Sequence, residues 1–277
     1  VKLLFVFFFH EKNLTEEWQV LISNFQNFKS YSYYIFDGQD VPSSYMPPLY
    51  FFFIFLNKII IFNIINYLHL VFFIQVLLST ISVILFYQIC KLFFEERLAL
   101  IGAFIFSIFP LLIYSTSLIS SATLQLFFYL LFFKLYLEIF LNKQKSKLFF
   151  LIIVSAFTLL LRGEFIIILL FSIFYLIYFN KSYLNYAIII LVFSTILISP
   201  YIVRNYINTG KPHIINSAGY ALWKGNNQLS KVEGYGNPLH PDNRLYWPQV
   251  KEFDQLYKKL DDLKKDREYE VNRDRVF

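Results

Sequence analysis

One cysteine, Cys90, stands in 277 residues, which excludes an intrachain disulfide, and one methionine and eight glycines complete the scarce classes. Charge is scarce as well: 16% of residues are charged where soluble domains carry about a quarter, while 57% are hydrophobic. A chain of this balance cannot hide its apolar surface in one soluble core. Metal-ligand spacing is absent from the four histidines, His10, His69, His213 and His240. No Gly-rich phosphate loop, Ser-centred nucleophile motif or paired-cysteine site is present. The net charge of +6 invites a nucleic-acid reading, but the basic residues lie at the ends of apolar runs and in the C-terminal tail. That is the positive-inside pattern of a membrane protein, and it excludes nucleic acid as the expected partner.

What is present is a series of apolar runs. Leu3 to Phe9 is too short to cross the ~30 Å hydrocarbon core. It reads as the outer end of a first membrane helix, and the chain as a partial sequence cut at both ends. Continuous runs follow at Asn66–Cys90, Leu98–Tyr114, Thr123–Leu141, Leu148–Leu161, Phe165–Phe179 and Tyr183–Tyr201. With the partial first helix they predict an all-α polytopic membrane protein of about seven transmembrane helices. Two of these runs are short and flank Arg162-Gly163-Glu164, the pattern of a tight hairpin or a broken helix.

Loops set the expected orientation. Lys91 with Arg97, then Lys143, Lys145 and Lys147, then Lys181 occupy alternate loops, whereas Ser115 to Ala122 holds no Lys or Arg. The basic loops are expected on the cytoplasmic side. By parity the first loop, His10 to Pro48, the Arg162 to Glu164 turn and everything after Tyr201 face the opposite side. The expected division is a membrane domain over residues 1–201, with its external loop at 10–48, and a small mixed external tail over 202–277 that carries about half of the chain's charges.

The first loop is not featureless. Trp18, Leu21, Ile22, Phe25 and Phe28 recur at helical spacing, so an amphipathic helix is expected within Leu14 to Phe28, with Thr15 as its N-cap and Glu16 and Glu17 in its first turn. The remainder reads as loop with turns at Asp37-Gly38, Pro42, Pro47 and Pro48. Asn57, Lys58 and Asn63 interrupt the next apolar run, Leu49 to Ile65, which reads as an interfacial helix. In the tail, Val250, Phe253, Leu256, Tyr257, Leu260 and Leu263 mark a further helix after Pro248.

Several polar residues are candidates for chemistry. A carboxylate at Glu16 or Glu17, at the water-lipid boundary, is suited to general-base work, although acidic residues in a first helical turn also complement the macrodipole. Arg162 and Arg204 follow apolar runs on the expected outer face, where guanidiniums can hold a phosphate or simply snorkel to the interface. Asp37 and Asp40 could ligate a metal, but turn chemistry accounts for them better, and the need for a divalent metal stays open. Trp223, Asn226 and Asn227 could contact a polar ligand or form an ordinary turn.

The strings SYMPPLYFFFIF, FYQICKLFFEERLALIGAFIFSIFPLLIYS, LLLRGEF, ISPYIVRNYINTGKP and GYALWKGNN occur in that order. Together they resemble the GT-C membrane glycosyltransferases, and within them the branch of protein O-mannosyltransferases and bacterial aminoarabinose transferases. The likeness rests on Pro47, Pro48 and Tyr50, on Pro200, Arg204, Asn205 and Tyr206, and on Leu222, Trp223, Gly225 and Asn226. It implies an enzyme that transfers a sugar from a polyprenyl-phosphate donor to a lipid, glycan or protein acceptor, with inversion, at the periplasmic face of a bacterial inner membrane. By position the family's acidic loop residue falls on Glu17, with Glu16 as the near alternative. The resemblance further implies Arg204, Arg162, Asn205 and Tyr206 at the donor phosphate, and Tyr45, Tyr50, Trp223, Asn226 and Asn227 near the sugar or acceptor. The sequence departs from the family where relatives carry an acidic residue before the fourth helix: here stand Ser120, Ser121 and Ala122. The rival expectation is a non-catalytic membrane protein, such as a lipid-linked oligosaccharide transporter or an assembly subunit, which should line a path with polar residues deep inside several spans.

Overall fold

The computed structural model describes residues 1–14, 16–36, 39–44, 46–61, 66–179 and 181–215. The described residues are all-α apart from one two-stranded hairpin. Ten helices are described: α1 (Lys2–Phe9), α2 (Glu16–Phe28), α3 (Pro48–Ile61), α4 (Tyr67–Cys90), α5 (Glu96–Ile108), α6 (Pro110–Ser115), α7 (Ala122–Phe140), α8 (Leu148–Leu161), α9 (Phe165–Phe179) and α10 (Leu184–Thr209). Strands β1 (Ser32–Phe36) and β2 (Gln39–Pro42) lie between α2 and α3. The chain divides into two compact units, one of Val1–Ile22 with Pro47–Val203 and the other of Ser23–Met46 with Arg204–Phe277.

In the first unit α4 packs most extensively on α7, then α7 on α8 and α4 on α5. Phe86 of α4 stacks on Phe106 of α5 with ring centroids 4.4 Å apart. Small hydroxyls inside the bundle return to their own helices: Ser82 to Leu78 O at 2.8 Å, Ser155 to Leu151 O at 2.7 Å and Thr158 to Val154 O at 2.6 Å. Each such bond satisfies a polar group where no water can.

Among the described residues three helices are long and apolar enough to cross a membrane, α4, α7 and the segment Lys181–Thr209 that contains α10. The chain is accordingly a membrane protein. The expected count of about seven spans is not reached among the described residues by length alone: at 1.5 Å per residue, α8 and α9, of 14 and 15 residues, rise about 21 to 23 Å. The run Leu98 to Tyr114 is likewise two helices, because Pro110 holds Phe109 extended at φ −61° and ψ 121°. Arg162 breaks α8 from α9 in extended geometry, φ −150° and ψ 109°.

Pro200 lies inside α10 and lacks the N–H that would reach Ile196 O. Ser199 Oγ donates to that carbonyl at 2.8 Å instead, so the helix continues through the proline. Gly210 ends it at φ 71°, its N–H bonded to Tyr206 O at 2.8 Å, the left-handed stop that glycine favours.

Within the first loop, α2 forms where the periodicity places it, burying Trp18, Leu21 and Ile22. The reading of the rest as loop is corrected by β1 and β2, which pair antiparallel with Phe36 opposite Gln39. Asp-Gly between two β-prone runs is a strong hairpin signal, and reading it as a bare turn undervalued it. Helix α3 packs on α4 and α8 through Tyr50, Phe51, Ile54 and Asn57. Asn57, expected to interrupt an apolar run, is buried and donates to Phe53 O at 2.7 Å. Thr15, Asn63 and the helix expected after Pro248 lie outside the described residues.

Candidate functional site

The first unit gathers polar residues from distant segments at one end of its helices. Residues 115–121, between α6 and α7, form a serine-rich turn held from three sides. Glu11, just past α1, accepts the Ile119 N–H at Oε2 over 2.6 Å, and its own N–H donates to Ser117 O at 3.0 Å. Gln75 of α4, fully buried, donates through Nε2 to Thr116 O at 3.2 Å and Leu118 O at 3.0 Å. Arg162, at the α8–α9 break, donates through Nε to Ser121 Oγ at 3.1 Å. Its Nη1 lies 3.6 Å from Glu164 Oε1, and the Arg162 side chain stays 41% exposed. An exposed pair at that distance contributes roughly 0–1 kcal/mol and leaves the guanidinium available to an anion.

Behind this turn the network runs inward. Tyr50 is 1% exposed, and its hydroxyl donates to Gln75 Oε1 at 3.0 Å. Trp18 meets the Tyr50 ring edge-on at 5.0 Å. Burial holds the Tyr50 phenol well above its ordinary pKa, and the Glu11 charge adds to the effect. Tyr50 therefore acts as a hydrogen-bond donor bracing the turn. His10 and His69, unrelated in sequence spacing, lie together with ring centroids 5.5 Å apart.

Glu17 is half-buried on the first turn of α2, one position before Trp18. Glu16 opens the same helix. Glu11, which the structure ties directly to the 115–121 turn, has only one sequence signal, a carboxylate immediately after the first apolar run.

The second unit contains a different arrangement. Arg204 turns its guanidinium to main-chain carbonyls: Nη2 donates to Tyr31 O at 2.7 Å, and Nη1 to Ser43 O and to Asn205 Oδ1, the latter at 2.9 Å. Its Cζ lies 5.6 Å from the Tyr31 ring centroid. Asn205 is fully buried and passes the chain on, Nδ2 donating to His213 O at 2.8 Å. The His213 ring meets Ser44 Oγ at 2.8 Å, and Tyr31 OH donates to Met46 O at 2.9 Å. Arg204 and Asn205, expected at a phosphate, thus clamp the two flanks of the hairpin to the segment after α10. Tyr206 is exposed on α10.

Tyr45, Trp223, Asn226, Asn227 and Asp37 lie outside the described residues. Among the described residues no group of three or more His, Cys, Asp or Glu side chains is placed to hold a metal ion. No known protein family, curated protein or solved structure matches this chain.

Proposed function

We propose that this membrane protein transfers a sugar from a polyprenyl-phosphate donor to a hydroxyl-bearing lipid, glycan or protein acceptor. The observation that carries the reading is the half-exposed Arg162 guanidinium, anchored by Nε to Ser121 at the polar end of the first unit. The resemblance supplies the reaction class, and the expected orientation puts this end on the periplasmic side of a bacterial inner membrane. In the reaction the Glu17 carboxylate takes the proton of the acceptor hydroxyl as its oxygen attacks the anomeric carbon. The bond from that carbon to the phosphate oxygen breaks, with inversion, and the leaving polyprenyl phosphate gains negative charge. Arg162 stabilises that charge through charge-assisted hydrogen bonds. Glu16 is the neighbouring carboxylate on the same turn. Arg204 and Asn205 keep the hairpin in shape rather than touching the donor.

Membranes containing the protein, supplied with labelled polyprenyl-phosphate sugars, test this. Arg162→Gln is expected to lower transfer on the order of 10²-fold, as removal of a transition-state charge donor does. Glu17→Gln should lower it about 10² to 10⁴-fold, the usual worth of a general base. Undiminished transfer in both variants would sink the assignment. Absence of transfer with any donor by the folded protein would favour the non-catalytic transporter or assembly role.

A further inference from the structure

At the end of the first unit opposite Arg162, about 28 Å away along the 19-residue α7, lies a cavity of about 610 Å³. It is formed where the end of α7 meets the start of α10. Its lining combines apolar Ile139, Phe140 and Ile189 with Lys143, Lys145, Asn185 and the phenols of Tyr183 and Tyr186. The volume falls within the ~300–1,000 Å³ of small-ligand sites.

The charge around it is one-sided. The segments that form it hold Lys134, Lys143, Lys145, Lys147 and Lys181 against a single acid, Glu138. That acid is already engaged, 2.7 Å from Lys147 Nζ and 3.9 Å from Lys134 Nζ. Lys143 and Lys145, which line the cavity, pair with no carboxylate among the described residues. The Lys145 ammonium lies 5.5 Å from the Tyr186 ring centroid, and Tyr183 OH donates to Phe140 O at 3.4 Å. Lys143 holds φ 56°, the left-handed region that glycine favours. A charged residue therefore stands at a helix end where glycine would be easier.

The geometry points to a binding site for the phosphate headgroup of an anionic membrane phospholipid. Two ammonium groups with hydroxyl and amide partners suit a phosphodiester. Both helices that bound the cavity are long and apolar enough to cross a membrane. Leu184 and Ile188, beside Asn185 and Ile189, are exposed and apolar, giving an acyl chain a surface along α10. A soluble anion would use the lysines and make no use of Ile189 or of the exposed Leu184 and Ile188 on the same helix. That apolar share is the reason to commit to a lipid.

The full chain in detergent, titrated with phosphatidylglycerol or phosphatidylcholine of the same acyl chains and read by native mass spectrometry, tests the inference. Phosphatidylglycerol is expected to bind at least tenfold more tightly than phosphatidylcholine. The double variant Lys143→Gly, Lys145→Gln should lose at least fivefold of that affinity. Lys143→Gly relieves the left-handed backbone, so the loss would not reflect misfolding, which circular dichroism checks. Ile189→Trp fills the apolar part of the lining with every charge retained and should lose the same affinity. Lys91→Gln, which removes a cation at the same end away from the cavity, should change it less than twofold. Equal binding of the two lipids, or a loss with Lys91→Gln as large as with the double variant, would overturn a built site. Displacement of the lipid by millimolar inorganic phosphate, with Ile189→Trp neutral, would make it a soluble-anion site and overturn the lipid assignment.

Discussion

Single residues here gain their roles from partners distant in sequence. Arg204 illustrates it: its Nη groups reach Tyr31 and Ser43, 173 and 161 residues earlier. A lysine has no planar fork to serve both carbonyls. Arg204→Lys is therefore expected to destabilise the protein by about 2 kcal/mol, the scale of a lost charged hydrogen bond, and to speed hydrogen exchange in residues 31–44. Asn205→Asp keeps the acceptor for Arg204 but sets a carboxylate against His213 O, and should cost a similar amount. Both are measurable by denaturant titration in micelles; wild-type exchange in Arg204→Lys would show that the clamp is idle. Glycines give a paired prediction. A Cβ at Gly102 would meet Phe86 Cε1 at 3.7 Å and Cys90 Sγ at 4.0 Å, ordinary contacts, whereas Gly210 holds φ 71°. Gly102→Ala should stabilise by roughly 0.5–1 kcal/mol and Gly210→Ala should destabilise by about 1 kcal/mol, and the same titrations report the sign of each.

At the scale of elements, helix boundaries follow local chemistry closely. Pro110 ends α5, Arg162-Gly163-Glu164 separates α8 from α9, and Gly210 closes α10. The exception is Pro200, which a local reading expects to bend or stop the helix. Ser199 offsets it by donating to Ile196 O. Ser199→Ala should cost about 1 kcal/mol with Pro200 in place and close to nothing in a Pro200→Ala background, where the restored N–H serves that carbonyl. A double-mutant cycle measures the coupling, and additive costs would show that the serine does not compensate. The hairpin is the element that composition obscured: its aromatic run resembles the chain's many other aromatic runs, and only pairing in the register Phe36 to Gln39 distinguishes it as strand.

Across the whole molecule the helices of the first unit run back and forth between a basic end and a polar end. Lys91, Lys143, Lys145, Lys147 and Lys181 lie at turns of one end, and Glu11, the 115–121 turn and Arg162 are hydrogen-bonded together at the other. In a Cys90→Ser background, single cysteines at 145 and 163 should be labelled by a membrane-impermeant reagent from opposite sides of sealed vesicles. Labelling of both from one side would refute the arrangement and, with it, the placement of the proposed transfer site away from the basic turns.

Sequence by itself determined that the chain is helical and apolar enough for a membrane, that the helix pair at Arg162-Gly163-Glu164 is broken, and which turns carry the cations. Those properties depend on neighbours within a turn or two of helix, so periodicity, proline and charge order record them directly. Only the tertiary structure decided that Glu11 grips Ile119 across 108 residues, that Arg204 faces carbonyls, and that Lys143 and Lys145 border a cavity with Ile189. It also set the length of each described helix, three of which are long and apolar enough to cross a membrane by themselves, because the length a helix reaches depends on where its hydrogen bonds stop. The physical reason is common to all of these. A hydrogen bond or cavity wall between distant residues exists only once the intervening helices pack, and no local pattern encodes which side chain will then be opposite which.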